Sequence, residues 1–121
     1  MTSIGNYAFN YCVNLSLTSL PEGLTSIGNY AFYYASYLCV TEIPASVKTI
    51  GERAFWKAFD KAADIGYKGV LTFKGTPDSI GANALGYNYS IKTINVPWAE
   101  GTVSNAPWGF SGTINYNYTG G

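Results

Sequence analysis

Apolar residues recur along most of the chain at one fixed spacing. An isoleucine-glycine pair is followed by alanine and phenylalanine at residues 4–9, 27–32 and 50–55, which are 23 residues apart, and a fourth copy at residues 80–85 has leucine in place of phenylalanine. The segments before the second and third copies begin with an apolar residue and proline, so the unit reads [I/L]-P-x-x-[L/V]-x-x-I-G-x-x-A-F. A period in the twenties is typical of a solenoid, in which each unit buries its apolar face only against its neighbours.

The first half of each unit predicts a short strand. Residues 13–17 alternate apolar and polar positions, the phase slips before Leu20, and residues 38–43 repeat both features one coil later. Pro21 and Pro44 are expected to end these strands, because proline cannot donate to a continuing hydrogen-bond ladder.

The second half of each unit predicts another short strand and a helical turn. Residues 24–27 and 47–50 are the expected second strands, and residues 7–9 are an expected helical turn that places Phe9 in the core. Because strands of successive coils lie side by side, one buried row is expected from the four isoleucines of the motif, namely Ile4, Ile27, Ile50 and Ile80.

The third coil departs from the repeat. The spacing from its isoleucine to the next is 30 residues instead of 23, and the extra length predicts a helix over residues 52–63 that ends near Gly66. One face of this helix is apolar and consists of Ala54, Phe55, Ala58, Phe59 and Ala62. Residues 70–73 are expected to resume the strand pattern.

The last part of the chain predicts a cap. Residues 104–112 are rich in turn-forming residues, and Ile114, Tyr116 and Tyr118 alternate as a final edge strand. Trp98 and Trp108 are expected to cover the open end of the core, with a ligand site at these two rings as the alternative.

These elements predict one domain, residues 1–121, with about four coils of short parallel strands and short helical turns. The repeats are placed near 3–25, 26–48, 49–78 and 79–103, and a C-terminal β cap at 104–121. Since the chain begins in the middle of a unit, further coils are expected before Met1, in a longer protein of which this is the C-terminal part. The uncapped first coil is expected to expose Ile4, Phe9 and unpaired strand edges, which favours a homodimer through that end.

Composition excludes several classes of function. Seven basic and seven acidic residues give no net charge, which argues against nucleic acid as a partner. No apolar run is long enough to cross a bilayer, and residues 1–12 lack the pattern of a signal peptide. The chain has no histidine, the commonest general base and zinc ligand. No catalytic residue, metal site or cofactor is therefore predicted, and the protein is not expected to be an enzyme.

The cysteines, two neighbouring aspartates and the motif glycines are the remaining candidates for chemistry. Cys12 and Cys39 occupy non-equivalent repeat positions, which favours two buried free thiols over a disulfide. Asp60 and Asp64 lie four residues apart beside lysines, which favours a solvated helix face over a weak cation site. The repeated glycines form no phosphate-binding loop and are interpreted as turn residues.

Aromatic residues provide the candidate binding surface. Eleven tyrosines, six phenylalanines and three tryptophans make up 17% of the chain, and buried tyrosine hydroxyls need partners, so some rings are expected outside the core. Alignment of the repeats places rings in columns that also contain Asn, Glu, Arg and Lys, which indicates exposure. The predicted patch on the helical-turn side consists of Tyr7, Tyr11, Tyr30, Tyr33, Tyr34, Tyr37 and Trp56. Such rings suit flat sugars or a protein partner; the alternative is that they shield the convex face by packing on one another.

With its L-P-x-x-L-x-x-I-G-x-x-A-F unit, the chain resembles the BspA-like, or Treponema-type, leucine-rich repeats of bacterial surface proteins. The resemblance covers residues 3 to about 103, and residues 96–109 also look like the ending of such regions in proteins of gut Firmicutes and their prophages. Thr18 and Thr41 depart from the family pattern, which usually has an apolar strand residue there, and only Cys12 keeps the family's usual cysteine.

The resemblance implies a right-handed leucine-rich-repeat solenoid at a cell surface or on a phage particle, hence an extracellular location. It implies a non-enzymatic adhesion module that binds protein or carbohydrate at a host or bacterial surface. A purely structural spacer without a ligand of its own is the alternative.

Overall fold

The protein is described by a computed structural model that covers residues 3–119. Its strands are β1 (Ser3–Ile4), β2 (Ser26–Ile27), β3 (Glu42–Ile43), β4 (Thr49–Ile50), β5 (Val70–Phe73), β6 (Ser79–Ile80), β7 (Thr93–Asn95) and β8 (Thr113–Asn115). They form two parallel four-stranded sheets, sheet A in the order β1-β2-β4-β6 and sheet B in the order β3-β5-β7-β8. The predicted solenoid of short parallel strands is confirmed.

The isoleucines of the motif form one buried row across sheet A. Ile4 pairs with Ile27, Ile27 with Ile50, and Ile50 with Ile80, and none of the four is more than 5% exposed. The N–H group of the glycine after each isoleucine donates to the isoleucine carbonyl of the preceding coil at 2.8 Å, as Gly28 does to Ile4. Identical residues are thus stacked by backbone hydrogen bonds that the repeat itself supplies.

The glycines of the motif serve close packing between coils. A β carbon on Gly28 would lie 2.5 Å from the backbone nitrogen of Asn6, and one on Gly81 would lie 2.6 Å from the carbonyl carbon of Gly51. Neither glycine has a positive φ. The motif glycines do begin turns, because each glycine carbonyl accepts a hydrogen bond from the alanine three residues later. Gly28, Gly51 and Gly81 in addition leave room for the neighbouring coil.

Sheet B is less regular at its start. β3 ends at Ile43, directly before Pro44, as predicted. The expected strand over residues 13–17 is wrong, because the N–H groups of Val13 and Leu15 donate within turns to Tyr11 and Cys12. This segment is joined to the next coil by a bond of 2.9 Å from the Cys39 N–H to the Leu17 carbonyl.

The segments after each isoleucine, residues 5–12, 28–35, 51–58 and 81–88, are called turn segments here, and they are not helical. In the second, the N–H groups of Tyr30, Phe32 and Tyr34 donate to the next coil at 2.7–3.0 Å. The N–H groups between them donate three residues back along the chain, as Ala31 does to Gly28 at 3.3 Å. Alternate N–H groups thus bond to the neighbouring coil, so the predicted helical turns are open turns.

The helix expected over residues 52–63 is also wrong. Arg53 and Lys57 have left-handed backbone angles, φ 51° and 56°, which an α-helix does not contain. A short 3₁₀ helix follows at Ala62–Ile65 and ends at Gly66, φ 97°, where the helix was expected to stop. The face expected to be apolar is nevertheless fully buried, since Ala54, Phe55, Ala58, Phe59 and Ala62 are all 0% exposed.

A phenylalanine column fills the space between the turn segments and the sheets. The rings of Phe9, Phe32 and Phe55 are stacked with centroid distances of 5.2 Å, and Leu85 takes the same repeat position in the fourth coil. Ala31, Ala54 and Ala84 beside them are 0% exposed. The core therefore runs the length of the solenoid as parallel columns of like residues.

The C-terminal cap continues the hydrogen-bond pattern with different groups. The side-chain amide of Asn105 donates to the Ile80 carbonyl at 3.0 Å, where earlier coils use a glycine N–H. The Leu85 N–H donates to the Trp108 carbonyl at 2.9 Å, and β8 extends sheet B. Trp98 and Trp108 are 4% and 0% exposed and meet edge to face at 6.0 Å. These rings close the core as predicted.

Two expectations about exposure need correction. Ile4 is 5% exposed and Phe9 is half-buried against the core, so the first coil covers more of its apolar residues than expected. Cys12 and Cys39 are free thiols, as expected, but they are half-buried rather than buried. Partial burial raises the pKa of the Cys39 thiol.

Candidate functional site

The turn segments place pairs of outward side chains at matching positions in every coil. The third and seventh residues of each segment have left-handed backbone angles. Their φ values lie between 51° and 62° at Tyr7, Tyr11, Tyr30, Tyr34, Arg53, Lys57, Asn83 and Tyr87. In the second, third and fourth segments, the alanine and the large apolar residue between each pair are buried in the core. This geometry needs no helix to bring side chains of different coils into register.

Rings at these positions stack along the solenoid. Tyr7 lies on Tyr30 with a centroid distance of 5.0 Å and an interplanar angle of 6°, and Tyr11 lies on Tyr34 at 4.8 Å and 7°. Tyr33 bridges the two columns, because it meets Tyr30 and Tyr34 edge to face at 5.0 and 4.7 Å. The predicted columns are therefore physically in contact.

Trp56 joins the rings of the second coil to those of the fourth. Its ring is stacked on Tyr33 at 5.1 Å and meets Tyr87 edge to face at 4.8 Å, and Tyr87 in turn meets Tyr89 at 6.0 Å. One continuous set of rings results, called the aromatic surface here: Tyr7, Tyr11, Tyr30, Tyr33, Tyr34, Trp56, Tyr87 and Tyr89.

Two cations of the third coil lie on this surface. The Arg53 guanidinium donates to the Tyr30 hydroxyl at 3.2 Å, and the Lys57 ammonium lies 5.2 Å from the centre of the Tyr34 ring, within cation–π range. The hydrogen bond with Tyr30 raises the pKa of Arg53, and burial, followed by the neighbouring tyrosines, raises the pKa of Tyr33. Glu52 forms an exposed ion pair with Arg53 at 3.4 Å.

Exposure separates the ends of the aromatic surface from its middle. Tyr7 and Tyr11 are 57% and 56% exposed at one end, and Tyr87 and Tyr89 are 51% and 56% exposed at the other. The central rings are half-buried, because neighbouring rings cover their faces. Flat ring faces are thus offered mainly at the two ends, whereas the middle offers ring edges and hydroxyl groups.

Six of the seven predicted residues belong to the aromatic surface, and Tyr37 does not. Tyr37 is half-buried, and in the described part of the chain its ring contacts none of the other aromatic rings. Its backbone carbonyl accepts a hydrogen bond from the Cys39 thiol at 3.2 Å. Adjacency in sequence to Tyr33 and Tyr34 was a poor guide, because the next coil has no ring at the matching position.

The sequence-based set omitted four residues of this surface. Tyr87 occupies the same column as Tyr11 and Tyr34, and Arg53 and Lys57 occupy the two tyrosine columns, so repeat alignment contained the signal for all three. Tyr89 lies beyond the turn segment, and only its edge-to-face contact with Tyr87 connects it to the surface.

Within residues 3–119, no three acidic or cysteine side chains lie close enough to hold a metal ion. No helix in that range is long and apolar enough to span a bilayer. The arrangement is suited to recognition by ring contact and hydrogen bonding.

The comparison with protein families agrees with this architecture. A family model described as the BspA type leucine-rich repeat region matches residues 2–105 in six copies. No curated protein and no solved structure was found to match the chain. Since the match spans most of the sequence and the stacked motif of the fold, the chain belongs to the BspA-type leucine-rich repeat family.

Proposed function

We propose that this protein is a non-enzymatic recognition module that binds a protein partner at a bacterial or host cell surface through the end of its aromatic surface that carries Tyr7 and Tyr11. The family suggests a protein-interaction repeat module and is generally surface-associated in bacteria. The observation that supports the proposal most directly is the pair of exposed tyrosines at the first coil, Tyr7 and Tyr11. They stack on Tyr30 and Tyr34, whose other contacts include the Arg53 and Lys57 cations.

Ring stacking makes this surface suitable for binding. Tyrosine gives a large contact area with few rotatable bonds, and tyrosine, tryptophan and arginine are the side chains that most often dominate binding energies. Because Tyr30 and Tyr34 are already stacked and paired with cations, little conformational entropy is left to lose on association.

The test uses a variant that keeps the backbone geometry. Tyr7 and Tyr11 have positive φ, which asparagine tolerates well, and the fourth coil naturally has Asn83 at the position of Tyr7. The double variant Tyr7→Asn with Tyr11→Asn should lose at least about tenfold in affinity, typical of removing dominant contacts. Its melting temperature should stay near that of the wild type, because both rings are more than half exposed.

The measurement is binding of the fluorescently labelled protein to intact epithelial and bacterial cells, with and without protease treatment of the cells. Val70→Thr is the matched control, since Val70 is 39% exposed on β5 and its neighbours on β7 and β8 are threonines. Protease-sensitive binding that the double variant loses and the control keeps supports the proposal. Equal binding by the double variant contradicts it.

A structural spacer is the second candidate, and the half-buried central rings favour it. Tyr33 and Trp56 have ring neighbours on several sides, so replacing both with alanine should lower stability as well as change the surface. If the protein is a spacer, the wild type should bind none of the cells while the Tyr33→Ala, Trp56→Ala variant melts at a lower temperature. Saturable cell binding by the wild type would exclude the spacer function.

A further inference from the structure

A groove lies where the aromatic surface meets the C-terminal cap. It has a volume of about 380 Å³, and its lining includes Trp56, Asn83, Gly86, Tyr87, Tyr89 and Ser111. This volume falls in the lower part of the range for small-molecule sites, about 300–1,000 Å³. The groove is at the opposite end of the aromatic surface from Tyr7 and Tyr11, so it does not depend on the function proposed above.

Gly86 lines the groove beside Trp56. The column that holds Tyr33 and Trp56 continues with glycine in the fourth coil, so no ring covers Trp56 from that side. A β carbon on Gly86 would lie 2.8 Å from Cδ1 of Trp56 and 3.0 Å from its Nε1. Tyr33 covers one face of the indole at 5.1 Å, the Gly86 backbone packs against Cδ1 and Nε1, and the rest of the half-buried ring lines the groove.

The walls supply two more rings at steep angles to each other. Tyr87 meets Trp56 at an interplanar angle of 65°, and Tyr89 meets Tyr87 at 78°. Both tyrosines are more than half exposed. A flat ligand on one ring would therefore touch the edge of the next.

Several side-chain polar groups line the groove. In the described part of the chain, no side-chain hydrogen bond involves the Trp56 indole N–H, the Asn83 amide or the Ser111 hydroxyl. The Tyr87 and Tyr89 hydroxyls are likewise unpaired there. Unpaired hydrogen-bond donors and acceptors thus surround the aromatic rings that form the floor of the groove. This arrangement suits a ligand that carries several hydroxyl or amide groups.

Charge narrows the class of ligand. None of the lining residues is ionisable at neutral pH, so a phosphate or carboxylate would meet no opposite charge to offset its desolvation. The Lys92 ammonium, which donates to the Tyr89 carbonyl at 3.2 Å, does not line the groove. A neutral sugar fits better, because its C–H face packs on aromatic rings and its hydroxyls both donate and accept.

We propose that this groove between Trp56, Tyr87, Tyr89 and the cap binds a neutral saccharide, with one pyranose ring on the aromatic floor and its hydroxyls bonded to Asn83 and Ser111. The proposal adds a carbohydrate site to a module that binds a protein elsewhere.

Trp56 itself provides the assay. Trp98 and Trp108 are 4% and 0% exposed, so a ligand that enters the groove changes the emission of Trp56 selectively. The intact chain is titrated with the methyl glycosides of glucose, galactose and mannose and with N-acetylglucosamine. Saturable emission changes are expected with at least one of them, with a Kd of about 1 mM, weaker than typical biological complexes.

Two variants test the assignment. Tyr89→Ala removes an exposed wall ring and Ser111→Ala removes an exposed hydroxyl, and neither side chain belongs to the core. Each should weaken binding, Tyr89→Ala by about tenfold, whereas Tyr7→Asn at the far end should leave the Kd unchanged. Far-ultraviolet circular dichroism and melting temperature check that all three variants fold.

Two results would overturn the proposal. The first is the absence of a saturable change with any of the four sugars. The second is an unchanged Kd in both Tyr89→Ala and Ser111→Ala. Loss of protein-dependent cell binding in Tyr89→Ala, without any sugar response in the wild type, would assign the groove to a protein partner and also reject the saccharide site.

Discussion

At the scale of single residues, the glycines of the motif show how closely the coils approach. The backbone of Gly28 lies against Asn6 of the preceding coil, so that any β carbon would overlap the Asn6 backbone nitrogen. Gly5 occupies the same place in the first coil, and a β carbon there would meet nothing within 4 Å. The repeat therefore contains a position where an added β carbon would clash, Gly28, and a matched control position where it would not, Gly5.

Gly28→Ala should lower the free energy of unfolding by about 1–3 kcal/mol or more, because the clash is with backbone that cannot rotate away. Gly5→Ala should change it little, since neither space nor φ forbids a side chain there. Urea denaturation of both variants measures the difference. Equal stability of the two variants would show that the coils are further apart than described.

Tyr67 is a second residue that holds neighbouring coils together. Its hydroxyl donates to the Val40 carbonyl at 2.8 Å, which connects the second and third coils, and its ring lies on Phe59 at 5.5 Å. Burial, followed by the charge of the Cys39 thiolate, raises the pKa of Tyr67 well above its usual value. The protonated hydroxyl is therefore favoured in the folded state.

The pH dependence of stability follows from this shift. A raised pKa contributes stability below the unfolded value of about 10, and this contribution is lost as the pH rises through the folded pKa. Tyr67→Phe should be about 1 kcal/mol less stable than the wild type at pH 7, because the Val40 carbonyl loses its donor. The difference in free energy of unfolding between the wild type and Tyr67→Phe should become smaller above pH 10. A difference that becomes larger there would contradict the role assigned to the Tyr67 hydroxyl.

At the scale of elements, the turn segments show where prediction from sequence failed. Residues 52–63 carry alanine and phenylalanine at helical spacing, and that spacing correctly identified the buried side chains. It did not determine the backbone conformation, because the N–H groups of Arg53, Phe55 and Lys57 donate to the fourth coil instead of to carbonyl groups of their own segment. Only residues 62–65, beyond this ladder, become a 3₁₀ helix.

The cap is the element that ends the stack. Its Asn105 amide takes over the bond to Ile80 that a glycine N–H makes in earlier coils, so the last carbonyl of sheet A at this position is satisfied. The sequence predicted a cap at residues 104–121, but the group that bonds to Ile80 could be identified only in three dimensions.

Asn105→Gly should destabilise the protein by about 1 kcal/mol more than Asn117→Gly. Asparagine has a positive φ at both positions, 69° and 57°, so glycine suits both backbones and gains the same flexibility when unfolded. The difference between the variants isolates the side-chain bond to Ile80. Thermal unfolding followed by circular dichroism measures it, and identical melting temperatures would show that the bond is dispensable.

At the scale of the whole molecule, the two ends differ. The cap covers the C-terminal end with Trp98 and Trp108, whereas the first coil exposes Tyr7, Tyr11 and Val13 by 45–57%. Paired apolar surface is more stable than solvated surface. The first coil is therefore the surface through which two copies of this chain are expected to associate.

Sedimentation at increasing protein concentration should show a dimer, and Val13→Asp should shift the equilibrium to the monomer. Tyr89→Asp is the control, because Tyr89 is 56% exposed and lies at the opposite end of the aromatic surface. A monomer at all concentrations, or equal effects of the two variants, would contradict a dimer formed through this end.

The sequence by itself determined the stacking of this protein. A motif that recurs every 23 residues places isoleucine against isoleucine and phenylalanine against phenylalanine in successive coils. Stacking of the coils therefore buries the apolar surface of both columns. Tertiary structure alone decided whether each turn N–H bonds within its coil or to the next, because both choices bury the same side chains. It also decided that Trp56, Gly86 and Ser111 line one groove, since residues of the third coil, the fourth coil and the cap meet only when the coils are stacked.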